Sequence, residues 1–351
     1  MVPNAVDFLQ AVSKLTSLKI VLAKPKSYNR PERSTIEETL AIPLRRLTRE
    51  MGQDPHRLCD LLRGAGVGEQ RLALVDIGGY FASAADTIQA ELDGSLAGIM
   101  EGTENGAQRY DAAPPATVPV ITVARSPLKL PEDYLVGSSV VFSIEAVLRE
   151  QAEILQTRRA CVIGYGRVGS GVADVLRGRG IPTSVFDIDP VAVANAAARG
   201  YEVFASVSSA LQRSSLVVCA TGNKALDAQH FRMLRPDTVV ASVTSGDDEL
   251  DLAGIEDTHD RFDHSPHIVE YASRSDTHVF WLINDGNAAN FLHGAVIGPA
   301  IQLIEGEKLA AIATIARGDL PEPGGSLAEV SSVLRRRVAT TWVEHFAHET
   351  Y

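Results

Sequence analysis

The run Cys161-Val-Ile-Gly-Tyr-Gly-Arg-Val-Gly-Ser-Gly171 narrows the choice of folds more than any other segment of this chain. Ala160–Ile163 reads as a buried strand, residues 168–177 as a helix with apolar spacing, and residues 182–186 as a second strand that ends at Asp187. Gly164 permits the tight turn, Gly166 lets the backbone approach a pyrophosphate, and Gly169 lets the helix pack on its strand. The helix amides, beginning with those of Arg167 and Val168, then face the anion. Asp187, with Ile188 beside it, falls where a carboxylate accepts the hydroxyls of a ribose. An acid at that point favours NAD over NADP, whose added phosphate would meet a negative charge.

Around this motif the chain alternates strands and helices, and an α/β protein follows: a Rossmann-type doubly wound parallel sheet over residues 139–289. Its opening helix is expected over residues 141–156. Further strands are expected at 202–204, 216–220, 238–243 and 278–283, mostly continuous apolar runs of the kind buried in parallel sheets. At 351 residues and 45% hydrophobic, the chain has length and apolar content for two cores. A second α/β domain, for substrate, is expected from both chain ends, residues 1–138 and 290–351, the latter closing with a C-terminal helix. Its strands are expected at 19–23, 71–76 and 119–123, with helices near 35–51, 83–92 and 298–316. Two bodies joined by two hinges would leave a cleft suited to small-molecule chemistry.

Other classes are excluded or disfavoured. Asn4, Asp7 and Lys14 interrupt the N-terminus, and no apolar run approaches the roughly 20 residues of a membrane span, so a soluble cytoplasmic protein without membrane contact is expected. A net charge of −11 argues against nucleic acid as a partner. Cys59, Cys161 and Cys219 suit reduced core thiols. His259, His264 and His267 have a spacing a metal could use, but their segment is polar and lacks cysteine; it reads as a solvated loop, and no metal is expected. Arg335-Arg-Arg337 reads as a solvated or subunit-facing stripe on a helix.

Gly164-Tyr-Gly-Arg-Val-Gly-Ser-Gly171, Asp187-Ile-Asp-Pro190, Ala198-Arg-Gly-Tyr-Glu-Val203, Thr221-Gly-Asn223 and Asp247-Asp-Glu-Leu-Asp251 together resemble the S-adenosylhomocysteine hydrolase family, nearly colinearly from residue 74 to 316. The resemblance implies a tightly bound, recycled NAD, an adenine nucleoside as substrate and a homo-oligomer, dimer or tetramer. It adds Thr221, Gly222, Asn223, Thr103 and Asn290 to the cofactor set, the last two near the nicotinamide; both also read as loop-fixing hydrogen bonders. In that family NAD oxidises the 3′-hydroxyl of the nucleoside, the ketone acidifies C4′, a 5′-substituent leaves, water adds, and the cofactor is restored. The family's Lys-x-x-x-Asp pair matches Lys129 and Asp133, which would serve the 3′-hydroxyl; without the resemblance they read as a surface ion pair. Thr35 and Glu37 match an adenine-binding threonine and glutamate, and equally an ordinary helix start.

The departures cluster chemically. The family's Asp-Asp-Gly-Gly reads Asp76-Ile-Gly-Gly79, its Glu-Glu-Thr reads Glu101-Gly-Thr103, and its Gly-His-Phe-Asp reads Thr244-Ser-Gly-Asp247. Its N-terminal histidine aligns with Arg33, and its Gly-His-Pro with Ile297-Gly-Pro299, although His293 lies nearby as a candidate catalytic residue. Asp76 and Glu101 remain as candidate substrate-binding carboxylates beside Lys129 and Asp133. The groups that manage a thiol leaving group and activate water are the ones lost. A shortened, divergent member is therefore expected, a nucleoside dehydratase that oxidises, eliminates water and re-reduces. Three readings stand beside it: a genuine hydrolase with a relay through His293, Glu101 or Glu104, an epimerase or dehydrogenase, and a non-enzymatic NAD-binding regulator.

Overall fold

The computed structural model describes residues 5–24, 36–38, 40–67, 70–92, 95–244, 249–293, 297–319 and 327–347. The chain forms two compact units, Met1–Lys129 with Gly298–Tyr351, and Leu130–Ile297.

In the first unit, β1 (Val21–Ala23) pairs in parallel with β2 (Leu44–Arg46). A separate parallel sheet runs in the order Ala328–Glu329, β5 (Val120–Thr122), β4 (Leu96–Glu101), β3 (Leu72–Asp76). Successive strand residues face opposite ways, so each face carries its own core. Leu74, Ile99 and Val120 pack with Leu58, Leu62 and Ile88 from α3 (Pro55–Gly64) and α4 (Ala85–Glu91). Met100, Ile121 and Val123 pack with Val12 of α1 (Ala5–Leu15) and with Ile304, Ala311, Ile312 and Ile315 of the helix Ile301–Arg317. The last helix, Ser332–Phe346, is held by Arg335, which donates to the buried Glu307 at 2.8 Å.

The expected helix over 35–51 does not form as one element. Residues 36–38 make a helical turn, Ala41 sits at φ 52°, β2 follows, and α2 (Arg49–Gly52) starts afresh on a Thr48 cap. Pro43 explains the break: it donates no backbone hydrogen bond and bars the preceding residue from helix. Strand β4, with its Ala-Gly pair, carries too weak an apolar pattern to be named from sequence.

The second unit is an eight-stranded sheet in the order β11-β12-β13-β10-β9-β6-β7-β8. The strands are β6 (Ala160–Ile163), β7 (Thr183–Phe186), β8 (Glu202–Val203), β9 (Leu216–Cys219), β10 (Thr238–Ser242), β11 (His259–Ser265), β12 (Ile268–Ser273) and β13 (Val279–Ile283). The run from β13 to β8 is parallel, and β11 and β12 extend it as an antiparallel ribbon. Val162, Leu216 and Val218 face one core; Cys161, Ile163, Val217 and Cys219 face the other. Helices cover both faces, which makes this a doubly wound Rossmann-type sheet. Cys161 and Cys219 are free, fully buried thiols, and burial pushes the Cys161 thiol up to about 12.

Two expectations are corrected in this unit. The opening helix, α6, spans Leu130–Glu150 and not 141–156: Pro131 and the acidic Glu132 and Asp133 occupy its first turn, as they should at a helix start. The segment around His259 and His264 is not a loop but β11, an edge strand whose side chains are almost all exposed and whose backbone pairs with β12.

Candidate cofactor and active site

The glycine turn joins β6 to α7 (Arg167–Gly178). Gly164 sits at φ 94°, and a Cβ there would lie 2.8 Å from the Ala220 carbonyl group. A Cβ on Gly169 would lie 1.9 Å from the Gly164 carbonyl oxygen, so only glycine lets α7 close on the turn. Gly166 differs: nothing lies within 4 Å of its Cβ position, and no side chain caps the helix it begins. The start of α7 therefore offers amides to open space, as a pyrophosphate site requires. Val168 packs partly buried against the core.

Asp187 follows β7, and its carboxylate accepts from the Tyr165 amide at 2.5 Å and the Asp189 amide at 2.9 Å. The first bond fastens this acid to the glycine turn. Ile188 beside it is 91% exposed, an apolar side chain left bare at the strand end.

A third loop, Thr221-Gly-Asn223, follows β9. It is organised by a residue that sequence reasoning passed over, the fully buried Glu249. Its carboxylate accepts from the Thr221 amide (2.6 Å) and hydroxyl (2.9 Å), the Gly222 amide (2.7 Å) and the Thr244 hydroxyl (2.6 Å). Gly222 sits at φ 68°, and the Asn223 amide donates to the Thr221 hydroxyl. The acidic run 247–251 advertised carboxylates here, but no pattern marked which one turns inward.

Asn290 lies in the 3-10 turn Ala289–Phe291, with its carbonyl accepting from the Ser139 hydroxyl. It is 8% exposed and its side-chain oxygen has no hydrogen-bond partner. A buried orphan acceptor needs a donor, and a carboxamide NH2 is one. These four features, an open Gly166, an uncapped helix, a fastened acid and an orphan acceptor, fit a dinucleotide.

Asp133 is buried in the first turn of α6, 3.9 Å from the Arg167 guanidinium. Its position depends on a close helix crossing: a Cβ on Gly137 would lie 2.7 Å from the Val172 nitrogen, and one on Gly171 3.2 Å from the Tyr134 Cα. Lys129 ends the 3-10 turn Pro127–Lys129, half-buried, its amide donating to the Ser126 carbonyl.

In the first unit, Asp76 and Glu101 end neighbouring strands in register. Asp76 accepts from the Tyr80 and Phe81 amides and the Tyr110 hydroxyl, at 2.8 to 3.1 Å. Glu101 accepts from the Gly78 and Gly79 amides and from the Thr103 amide and hydroxyl. The Gly78 carbonyl accepts from Arg49 and Arg109, both at 2.7 Å. Both carboxylates thus act as loop fasteners; Tyr110, Arg49 and Arg109 complete the frame and carried no sequence signal. Burial, then the Asp76 charge, raises the Glu101 pKa to about 7. Burial also raises that of Asp76. The Thr103 hydroxyl additionally caps α5 (Glu104–Ala112) by accepting from the Gly106 amide.

Ile77 packs where the resembled family carries carboxylates: its Cδ1 lies 2.7 Å from the Cβ position of Gly102. Glu104 receives Arg125 through both oxygens. His293 lies 3.3 Å from the Ser143 hydroxyl, edge-on to Phe142 and 5.4 Å from the His267 ring. Ligand atoms of Glu150, His267 and His293 lie within 4.8 Å of one another, a donor set for a cation among the described residues that the sequence reading did not anticipate. His264 instead faces Glu270 at 2.6 Å. Glu37 is half-buried in the turn 36–38, while Arg33, Thr35 and residues 245–247 lie outside the described residues.

Residues 134–295 match the family model of the S-adenosyl-L-homocysteine hydrolase NAD-binding domain. NAD is the cofactor. The match takes in the glycine turn, Asp187, the 221–223 loop and Asn290, and leaves the first unit outside it. Among solved structures, the chain is similar to a phosphoglycerate oxidoreductase from Vibrio cholerae o395, at 14% identity and a TM-score of 0.41, over 68% of this chain and 78% of that one. It is also similar to a putative D-isomer specific 2-hydroxyacid dehydrogenase, NAD-binding, from Polaromonas sp. JS6 66, at 14% identity and a TM-score of 0.39, over 68% and 77%. No described helix is long and apolar enough to cross a membrane.

Proposed function

We propose that the protein is a divergent, shortened relative of the S-adenosylhomocysteine hydrolases that removes water from an adenine nucleoside with no net redox change. Bound NAD supplies transient oxidation of a ribose hydroxyl and its later reduction. Lys129 takes the proton of that hydroxyl and returns it at the end of the cycle. Asp133, buried beside Arg167, holds the compensating charge next to the glycine turn. With the sugar carbon oxidised, the neighbouring C4′ proton becomes acidic; its removal expels the 5′-hydroxyl, which leaves with a proton as water. The product is the nucleoside less one water, with a C4′–C5′ double bond.

One observation favours stopping there: both carboxylates that could replace the lost water-activating groups are engaged elsewhere. Glu101 receives four donors, Glu104 is held by Arg125, and Ile77 and Gly102 form an apolar contact where two carboxylates would stand. Addition of water to the enone needs a base, and neither Glu101 nor Glu104 has a carboxylate left over for that role.

The test is mass spectrometry of NAD-loaded protein incubated with adenosine and, separately, with S-adenosylhomocysteine. A product lighter by one water, without accumulating NADH and absent in Lys129→Ala, is expected. Release of homocysteine would make the protein a hydrolase, net NADH a dehydrogenase, and solvent deuterium in a saturated product an epimerase. No turnover of any nucleoside would favour an NAD-binding regulator.

A further inference from the structure

Three side chains of the second unit that the dehydration does not use converge from separate elements. Glu150 closes α6, His267 stands in the turn between β11 and β12, and His293 follows the 3-10 turn Ala289–Phe291. One ligand atom from each lies within 4.8 Å of the other two. All three side chains can be reached from solvent: His293 is exposed, and those of His267 and Glu150 are 30% and 40% exposed.

The backbones that carry them are held in place. The Asn284 amide donates to the His267 carbonyl at 2.8 Å, and the His267 amide donates to the Ser265 hydroxyl at 3.1 Å. Residues 290–293 lie along α6, where the Ser139 hydroxyl donates to the Asn290 carbonyl at 3.2 Å. The fully buried Ser143 places its hydroxyl 3.3 Å from His293 Nδ1, and Phe142 meets the same ring edge-on at 5.8 Å. Donors mounted on fixed elements lose little freedom when they bind.

The charge favours a cation. Glu150 lies in the last turn of α6, where the helix's carbonyl end is negative; a carboxylate is unfavourable there and a cation is welcome. Arg149 beside it is bound to Glu145 at 2.8 Å. His267 Nδ1 stands 3.3 Å from both Glu150 oxygens. Bonds of about 2.0–2.2 Å in a tetrahedral shell put neighbouring ligands about 3.4 Å apart. That pair already has the spacing, and the remaining gaps close by turning exposed side chains. A second imidazole, its ring 5.4 Å from that of His267, adds nothing to a His–Glu ion pair but completes a metal set. Two imidazoles and one carboxylate suit zinc and its late first-row neighbours, whereas magnesium and calcium take shells of six or more ligands built mainly from oxygen.

We propose that Glu150, His267 and His293 bind one divalent late first-row metal ion, zinc being the best match, with water in the fourth position. The ion ties residues 290–293 to α6 and to the turn of the ribbon, and gives His293 a use outside a water relay. The test is calorimetric titration of the metal-stripped, NAD-loaded protein with zinc and, separately, with magnesium. One saturable zinc per chain is expected, bound about a hundredfold or more tighter than magnesium. His267→Ala, His293→Ala and Glu150→Gln should each weaken zinc about tenfold or more. Unchanged NAD affinity in His267→Ala and Glu150→Gln would show that the loss is local. His264→Ala, which removes the ribbon's other His–Glu contact at 2.6 Å, should leave zinc binding as it was. No saturable zinc binding, binding that survives loss of His267 or His293, an equal loss in His264→Ala, or magnesium bound as tightly as zinc would overturn the proposal.

Discussion

Gly166 and Gly169 lie three residues apart and respond differently to a methyl group. At Gly169 the added Cβ would meet the Gly164 carbonyl oxygen at 1.9 Å, and neither backbone can move without opening the turn. Gly169→Ala should therefore destabilise the NAD-binding unit by about 3 kcal/mol or more, read as a lower melting temperature without NAD. At Gly166 the backbone is ordinary, φ −73°, and the space is open, so alanine should leave the melting temperature of the apo protein within error. The methyl would instead occupy the approach of the pyrophosphate, and NAD affinity should fall about tenfold or more by calorimetry. Equal losses of stability in the two variants would show that Gly166 is a packing glycine. Glu101 makes a prediction in pH. Its pKa is raised from 4.5 to about 7 by burial and the Asp76 charge, so its contribution to stability is full below about 4.5 and is lost as pH rises through 7. The full effect is on the order of 3 kcal/mol. The stability difference between wild type and Glu101→Gln should therefore shift in the variant's favour between pH 5 and pH 7.5 by thermal melts; a difference flat in pH would show that Glu101 titrates normally.

At the scale of elements, the crossing of α6 and α7 joins the expected catalytic segment to the cofactor turn. Gly137 and Gly171 meet there with no room for a Cβ, and Asp133 and Arg167 sit one turn away. Gly137→Ala should force the helices apart, costing about 1–3 kcal/mol of stability, and should lower kcat more than it raises the Kd for NAD; unchanged kcat would separate Asp133 from the chemistry. This crossing also shows why the sequence was legible in some places and not others. The strands β6 and β9, and the middle of β10, are short runs of fully buried apolar residues, and the pattern alone names them. The first half of α6 packs through glycine, so its apolar stripe begins only at Val140 and Val141, and a reading by periodicity starts the helix eleven residues late, at 141 instead of Leu130. β11 pairs through its backbone while presenting charged side chains, which erases the strand signal. Within the site, the glycine turn, Asp187 and Asn290 were readable because a ligand constrains residue type there. Glu249 and Tyr110 were not, because their partners are backbone amides or a distant carboxylate, and those leave no trace in spacing.

At the scale of the molecule, the chain leaves the first unit after Lys129 and returns to it at Gly298, so the second unit is one continuous stretch and the first is not. The first unit's inner core depends on that return: Met100, Ile121 and Val123 are buried by Ile304, Ala311, Ile312 and Ile315. Burying one such side chain contributes about 1.5–3 kcal/mol, and a whole domain is stable by only about 5–15 kcal/mol. A chain truncated after Ile297 loses that helix entirely, and its first unit should not hold a fixed structure. Its second unit keeps both sheet-face cores, whose residues all fall between 140 and 292, and should fold and bind NAD within about threefold of the full protein. Hydrogen exchange read by mass spectrometry distinguishes the two parts: in the truncated protein, peptides from β3, β4 and β5 should exchange at once, while those from β6, β9 and β10 stay protected and gain further protection with NAD. Protection of β3 to β5 without the returning helix would show that residues 1–129 fold by themselves, and loss of protection in β6 would show that the NAD-binding unit needs the rest of the chain to stand.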